Sequence, residues 1–209
     1  MKNFLAVDTS SKYLTVVACE NGEIVSEFVE DCAMRHSEKL MPTVDSVLSR
    51  ANADLSSFDY FACVVGAGSF TGIRIGSSTL KGFALATGKP TVPITSFELA
   101  AYIVKEEKCL VLLDALHGSF YAAAYERGNE VLAPSYLTEE EAKAWKEKGF
   151  VPVGLEKTLF LGEEIKTVSP IEGLLCVAKE KQGQFGELLA LYIRKSQAEI
   201  NLEKGELSV

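Results

Sequence analysis

Four glycines, at positions 66, 68, 72 and 76, stand in the segment GAGSFTGIRIG, directly after the apolar run Tyr60-Phe61-Ala62-Cys63-Val64-Val65. A strand that enters a glycine turn and leaves as a helix exposes backbone N–H groups at the positive end of the helix dipole, a ready site for phosphate. The spacing departs from both standard loops. No Gly-Lys-Ser/Thr closes it as in Walker A, and Gly72 falls one place late for the dinucleotide fingerprint. Two uses remain. Gly66, Gly68, Ser69 and Thr71 can cradle an anion weakly, with Arg74 one turn in; or Gly72 and Gly76 thin one helix face so that another element lies close, within the fold or between chains. Each helical glycine costs about 1 kcal/mol of propensity, which the packing must return, and this second use is preferred.

A second constellation is Asp8-Thr9-Ser10-Ser11, an acid at a strand end followed by three hydroxyls. Its later counterpart is Asp114-Ala115-Leu116-His117-Gly118, which lacks the small hydroxyl and glycine directly after the acid that would let a phosphate approach the backbone. Both acids also fit a plain structural role, ending a strand and accepting turn hydrogen bonds. Catalytic alternatives are poorly supplied. His36 and His117 are the two histidines and lie far apart in sequence, no Gly-x-Ser-x-Gly nucleophile setting occurs, and no cysteine has an adjacent base.

The elements that must position these residues read as follows. Strands over 4–8, YLTVVACE and EIVSEFVE form an antiparallel meander turned by Asn21-Gly22. A helix over 35–52 carries a stripe through Leu40, Met41, Val44, Val47, Leu48 and Ala51, with Ser37 as a candidate N-cap and Pro42 obscuring its start. The strand before the glycine loop, a helix to about Ala86, the short strand TVPI and a helix from Ser96 follow. Displacing the sequence by 106 places lays Asp8 on Asp114, Glu20 on Glu126, Gly22 on Gly128 and Val25 on Val131, an internal duplication whose second half opens near Val104. That half continues with a helix capped by Thr138 and Glu141, strands near 150–153 and 158–161, a helix over 171–181 and the closing segment GELLALYIRKSQAE, after which the polar end is expected to fray.

The expectation is an α/β protein of two duplicated units, 1–103 with the glycine loop and pairing helices, and 104–209, smaller and degenerate, with a tail packing back on the first. Acids at both first-strand ends and hydroxyl-rich turns describe the actin-like, ribonuclease H-like architecture of actin, Hsp70 and sugar kinases, with mixed sheets flanked by helices. The 209 residues carry a net charge of -8, which disfavours unaided nucleic-acid binding. Five scattered cysteines without a CxxC pair, and no apolar stretch near membrane-spanning length, suggest buried thiols in a cytoplasmic protein.

DTSS near the start, Arg35-His36-Ser37, GAGSFTGIRIG with Lys81-Gly82, Ser96-Phe97-Glu98, Asp114-Ala115 and Tyr192-Ile193-Arg194 together make the chain resemble the bacterial YeaZ, or TsaB, family over nearly its whole length, Ala67 replacing the family's usual proline. The resemblance implies a non-catalytic subunit for threonylcarbamoyladenosine formation on tRNA, with the catalytic paralogue TsaD and the ATPase TsaE as partners. It also implies self-pairing when alone, contact with tRNA only through the complex, and no membrane partner. The paralogue carries His-x-x-x-His after its glycine loop, where this chain has Ser96 and Ala100, so no metal site is expected. No cofactor is expected to be required, although weak nucleotide binding at Asp8, Thr9, Ser10 and Ser11 stays open. His36, Leu40, Gly72, Arg74, Gly76, Thr79 and Lys81 are the expected pairing surface. An active ATP-dependent phosphotransferase and a metallopeptidase-like hydrolase are the alternatives.

Overall fold

A computed structural model describes residues 2–104 and 106–193; Arg194 of the family motif, and the end expected to fray, lie outside these. The elements are β1 (Phe4–Asp8), β2 (Leu14–Glu20), β3 (Glu23–Val29), α1 (His36–Ala51), β4 (Tyr60–Val64), α2 (Phe70–Thr87), β5 (Thr91–Ile94) and α3 (Ser96–Ala101). There follow β6 (Lys108–Asp114), β7 (Ser119–Glu126), β8 (Asn129–Thr138), α4 (Glu139–Glu147), β9 (Val151–Gly154), the hairpin β10 (Leu159–Phe160) and β11 (Glu163–Glu164), β12 (Lys166–Thr167) and α5 (Pro170–Glu180).

Two five-stranded mixed sheets carry the molecule, in the orders β3-β2-β1-β4-β5 and β12-β9-β6-β7-β8. Traced from their meanders, both have the same order. In each, an antiparallel meander is extended by a strand parallel to its first member, β4 on β1 and β9 on β6. The 106-residue displacement holds in the structure: 8 + 106 = 114, and Asp8 and Asp114 end β1 and β6. Asn21 and Gly22, like Arg127 and Gly128, turn the first hairpins with positive φ. This is an α/β fold of the actin-like, ribonuclease H-like kind.

β1 is buried on both faces, which is why FLAV reads as a continuous apolar run rather than an alternation. One face, Leu5 and Val7 with Val16 and Phe61, packs on Leu40, Val44 and Val47 of α1 and Leu80 of α2. The opposite face, Phe4 and Ala6 with Val17 and Ala62, joins Leu174, Val177 and Ala178 of α5 and, from the second sheet, Val111 and Ala123. The outer face of that second sheet holds Leu110, Leu112 and Phe120 against Ala142 of α4.

The last helix of each half is exchanged. α5 packs on β1, β2 and β5 of the first sheet, α3 packs on β6 and β7 of the second, and the two helices lie against each other between the sheets. Gly173 makes the crossing possible, because a Cβ there would overlap the Leu99 carbonyl oxygen. After α5 the chain returns along the first sheet: Gly186 N–H donates to Thr91 O (2.9 Å), Leu191 N–H to Val65 O (2.7 Å), and Leu188 enters the α1–α2 core.

One local expectation changes and another holds. Arg35, not Ser37, occupies the N-cap position of α1 and makes no side-chain cap, while Pro42 sits inside the helix. The capping box of Thr138 and Glu141 on α4 is present, the Glu141 carboxylate accepting from both the N–H and the hydroxyl of Thr138.

Candidate functional site

The hairpin turn after β1 and the glycine loop after β4 end side by side, because β1 and β4 are parallel neighbours. Asp8 Oδ1 accepts from Ser10 N–H at 2.8 Å, an Asx turn that folds residues 8–10 back on themselves. The folded turn is pressed into the loop: Thr9 Oγ1 donates to Gly72 O (2.7 Å), and Ser10 O accepts from Ser69 N–H (2.6 Å). A Cβ on Gly68 would overlap Ser10 O, one on Gly72 would overlap Thr9 O, and one on Gly76 would overlap Thr9 Oγ1. The three glycines therefore form a trough for the Thr9–Ser10 backbone.

This arrangement bears on both uses of the loop. Ser69 N–H is engaged by Ser10 O, Gly72 N–H by the Ser69 side chain (3.2 Å), and Ile73 N–H by Ser69 O (2.9 Å). The chain's own turn occupies the trough, so Gly68, Gly72 and Gly76 serve backbone packing, while Gly68 and Ser69 together with Ser10 and Ser11 also line the cleft between the halves. Gly66 N-terminal to it faces Leu191 and Ile73, and its carbonyl accepts from Ser96 N–H (2.7 Å). Thr71 lies away from the trough, in a shallow groove with Ser37, Phe70, Arg74 and Thr79.

Ser96 ties the loop to α3. Its hydroxyl donates to Ala67 O (2.6 Å) and lies 3.2 Å from Ser10 Oγ. With Ser96 so engaged and Ala100 carrying no donor atom, the position at which the resemblance places paired imidazoles does not fit a metal ion, and no chemistry is routed through one.

Between the halves is a cleft of about 430 Å³, reached by Ser10, Tyr13, His36 and Gly68 from one wall and Asp114 and Glu156 from the other. His36 is buried, its Nε2 atom 3.0 Å from Tyr13 O. At the mouth Lys12 closes on Glu156 twice, through its backbone N–H to Oε1 and its ammonium to Oε2, both at 3.2 Å. The second turn repeats the first in miniature, Asp114 Oδ1 accepting from Leu116 N–H at 2.7 Å. Leu116 and His117 there have positive φ, and Leu116 projects exposed at the cleft. Ser11 accepts from Tyr13 N–H at 3.3 Å and lies on the same wall.

Asp8 is fully buried, and its desolvation pushes the carboxyl pKa up against the opposing help of the Ser10 hydrogen bonds. Burial likewise pushes the thiols of Cys63 to about 12 and Cys109 to about 11, which leaves both unreactive.

The expected pairing surface divides. His36 and Leu40 are buried beneath α1, and Gly72 and Gly76 are buried against Thr9; these four are corrected from contact residues to residues of the interior. Arg74 and Lys81 are exposed and Thr79 is half-buried. The guanidinium of Arg74 stacks 3.7 Å from the Phe70 ring centroid, and its Nε donates to Tyr192 OH at 3.0 Å. The outward stripe of α2 also includes Leu85, 88% exposed, and α1 offers Met41. Sequence reasoning missed Tyr13, Lys12 and Glu156; only the apolar run they flank was visible, and the Lys12–Glu156 contact joins residues 144 apart.

The family model described as TsaD, tRNA N6-adenosine threonylcarbamoyltransferase, matches residues 28–146. The chain is 26% identical over 213 residues to the tRNA threonylcarbamoyladenosine biosynthesis protein TsaB of Bacillus subtilis, covering 94% of this chain and 90% of that one. It is 27% identical over 168 residues to the protein of the same name from Buchnera aphidicola of Schizaphis graminum, 78% of this chain and 80% of the relative. Among solved structures, YeaZ from Pseudomonas aeruginosa superposes with a TM-score of 0.76 at 26% identity, covering 92% of this chain and all of that one.

Proposed function

The chain belongs to the TsaD family, and within it to the TsaB (YeaZ) proteins of tRNA threonylcarbamoyladenosine biosynthesis; from that membership we propose that it is a non-catalytic scaffold subunit of the tRNA-modifying assembly. The observation that supports this reading is the trough, in which the N–H groups of Ser69, Gly72 and Ile73 are engaged within the chain and the Thr9–Ser10 turn is packed into the loop. On this reading the chain contributes surfaces rather than chemistry.

The surfaces proposed for the catalytic paralogue TsaD, and for self-pairing when the chain is alone, are the outward stripe of α2 (Phe70, Arg74, Lys81 and Leu85) with Met41 of α1. An apolar and basic stripe of this size suits a helix-on-helix contact. TsaE is proposed as a further partner. With a net charge of -8, tRNA is met through the assembly, in the cytoplasm; among the described residues no helix is long and apolar enough to cross a membrane.

The test is reconstitution. Purified TsaD, TsaE and the threonylcarbamoyl donor system should modify tRNA in the presence of this chain and lose most of that activity in its absence. The isolated chain should turn over no ATP; metal-dependent hydrolysis above background would instead support the phosphotransferase reading.

A further inference from the structure

Both walls of the cleft between the halves carry the same irregularity. Among the described residues, the large apolar side chains at left-handed φ are Met34 (φ 63°), Leu116 (φ 67°) and Leu161 (φ 54°). Two of the three line this cleft, Met34 from the first half and Leu116 from the second, and they are 97% and 64% exposed. A bulky residue in this backbone region is strained, and turning its side chain to water does nothing to offset the strain. Such strain collects at ligand clamps, and exposed apolar side chains rimming a cavity mark a binding surface.

Behind this rim the cavity is apolar. Leu113 and Tyr121 are opposed in the β6–β7 register, so their side chains leave one face of the sheet, and with the buried Leu155 they line the cleft. Its charge balance is negative. The acids lining it are Asp114 and Glu156, against the ammonium of Lys12, which is paired with Glu156, and the imidazole of His36, whose Nε2 is 3.0 Å from Tyr13 O. Asp114 Oδ1 accepts from Leu116 N–H, and its Oδ2 has no hydrogen bond or ion pair among the described residues. On the facing wall Ser69 N–H is engaged by Ser10 O, and the hydroxyl oxygens of Ser11 and Ser69 accept from Tyr13 and Gly72 N–H. A polyphosphate would meet an unpaired carboxylate, whereas an ammonium group would meet its counter-ion with an apolar surface beside it. A cavity of about 430 Å³ is of the size that takes a small molecule.

We propose that this cleft is a binding site for a small organic monocation with an apolar body, of the aryl-alkyl amine class. Asp114 receives the ammonium group, Leu113, Tyr121 and Leu155 receive the body, and Met34 and Leu116 close over it from the two halves. The site goes beyond the scaffold reading, and its failure would leave the reconstitution result untouched.

The experiment is calorimetric titration of the full chain at neutral pH with phenethylamine, with its neutral isostere phenethyl alcohol, with the anion 3-phenylpropionate and with magnesium ATP. The amine is expected to bind with a dissociation constant on the order of 100 µM, and the other three about tenfold more weakly or not at all. Asp114→Asn, which keeps an oxygen for Leu116 N–H at an exposed position, should reduce the amine to the affinity of the alcohol. Leu116→Asn places a residue that tolerates left-handed φ, so the thermal midpoint should stay level or rise while amine affinity falls several-fold. In the unmodified chain the amine should shift the amide NMR signals of residues 113–116. Equal affinity for amine and alcohol, no amine binding, full affinity in Asp114→Asn, or amide shifts confined to other segments would each overturn the proposal. Tighter binding of magnesium ATP than of the amine would also overturn it and return the cleft to polyphosphate.

Discussion

At the scale of single residues, the Thr9–Ser10 backbone in its glycine trough makes the sharpest demand. Replacing Gly72 by alanine sets a methyl group on the Thr9 carbonyl, and the expected destabilisation is about 2 kcal/mol or more, despite roughly 1 kcal/mol regained in helix propensity. Urea unfolding checks this, and an unchanged midpoint would show that the turn yields easily. Asp8 gives a pH-dependent prediction. Burial holds its folded pKa above the ordinary carboxylate value, so from that value up to the folded pKa the folded chain binds the extra proton, and stability falls as pH rises through the window. Asp8→Asn should be more stable than the parent at pH 7, where the buried carboxylate is charged. That advantage should shrink as the pH is lowered towards 4, by chemical denaturation at each pH.

At the scale of elements, the outward stripe of α2 and the buried crossing of α3 with α5 behave oppositely under substitution. Leu85→Glu, at an exposed position, should change monomer stability by no more than about 0.5 kcal/mol yet weaken self-association at least tenfold in sedimentation velocity. A dimer of unaltered strength would move the contact away from α2. Gly173→Leu drives a side chain into the Leu99 backbone and should lower the thermal midpoint by several degrees, with an apparent loss of about 3 kcal/mol. Much of this level was legible in the sequence. The apolar run of β1, the hairpin glycines Gly22 and Gly128 and the capping box of α4 are local signals, fixed by near neighbours along the chain, and the 106-residue repeat is legible by laying the chain on itself. The stripe of α1 revealed a buried face but not its cover, so His36 and Leu40 read as contacts for another chain, whereas α1 lies against β2 and β3 and His36 meets Tyr13. The trough around Thr9 and the exchange of α3 and α5 join residues more than sixty places apart, and no periodicity records such a meeting.

For the whole molecule, charge and connectivity set the expectations. A surface carrying a net -8 should leave the isolated chain without a tRNA mobility shift at micromolar protein and physiological salt, and tRNA should be retained only once the partners are added. A shift by the chain alone would indicate a basic track that the overall charge conceals.

The exchange of terminal helices also bears on how the chain is born. The first sheet needs α5 on one face and Leu188 on the other, and both leave the ribosome after every strand of the second sheet. The amino-terminal half must therefore wait during translation with Phe4, Ala6 and Val17 uncovered, and a transcript cut short before Pro170 would yield a polypeptide fit for chaperones and proteases rather than a smaller working protein.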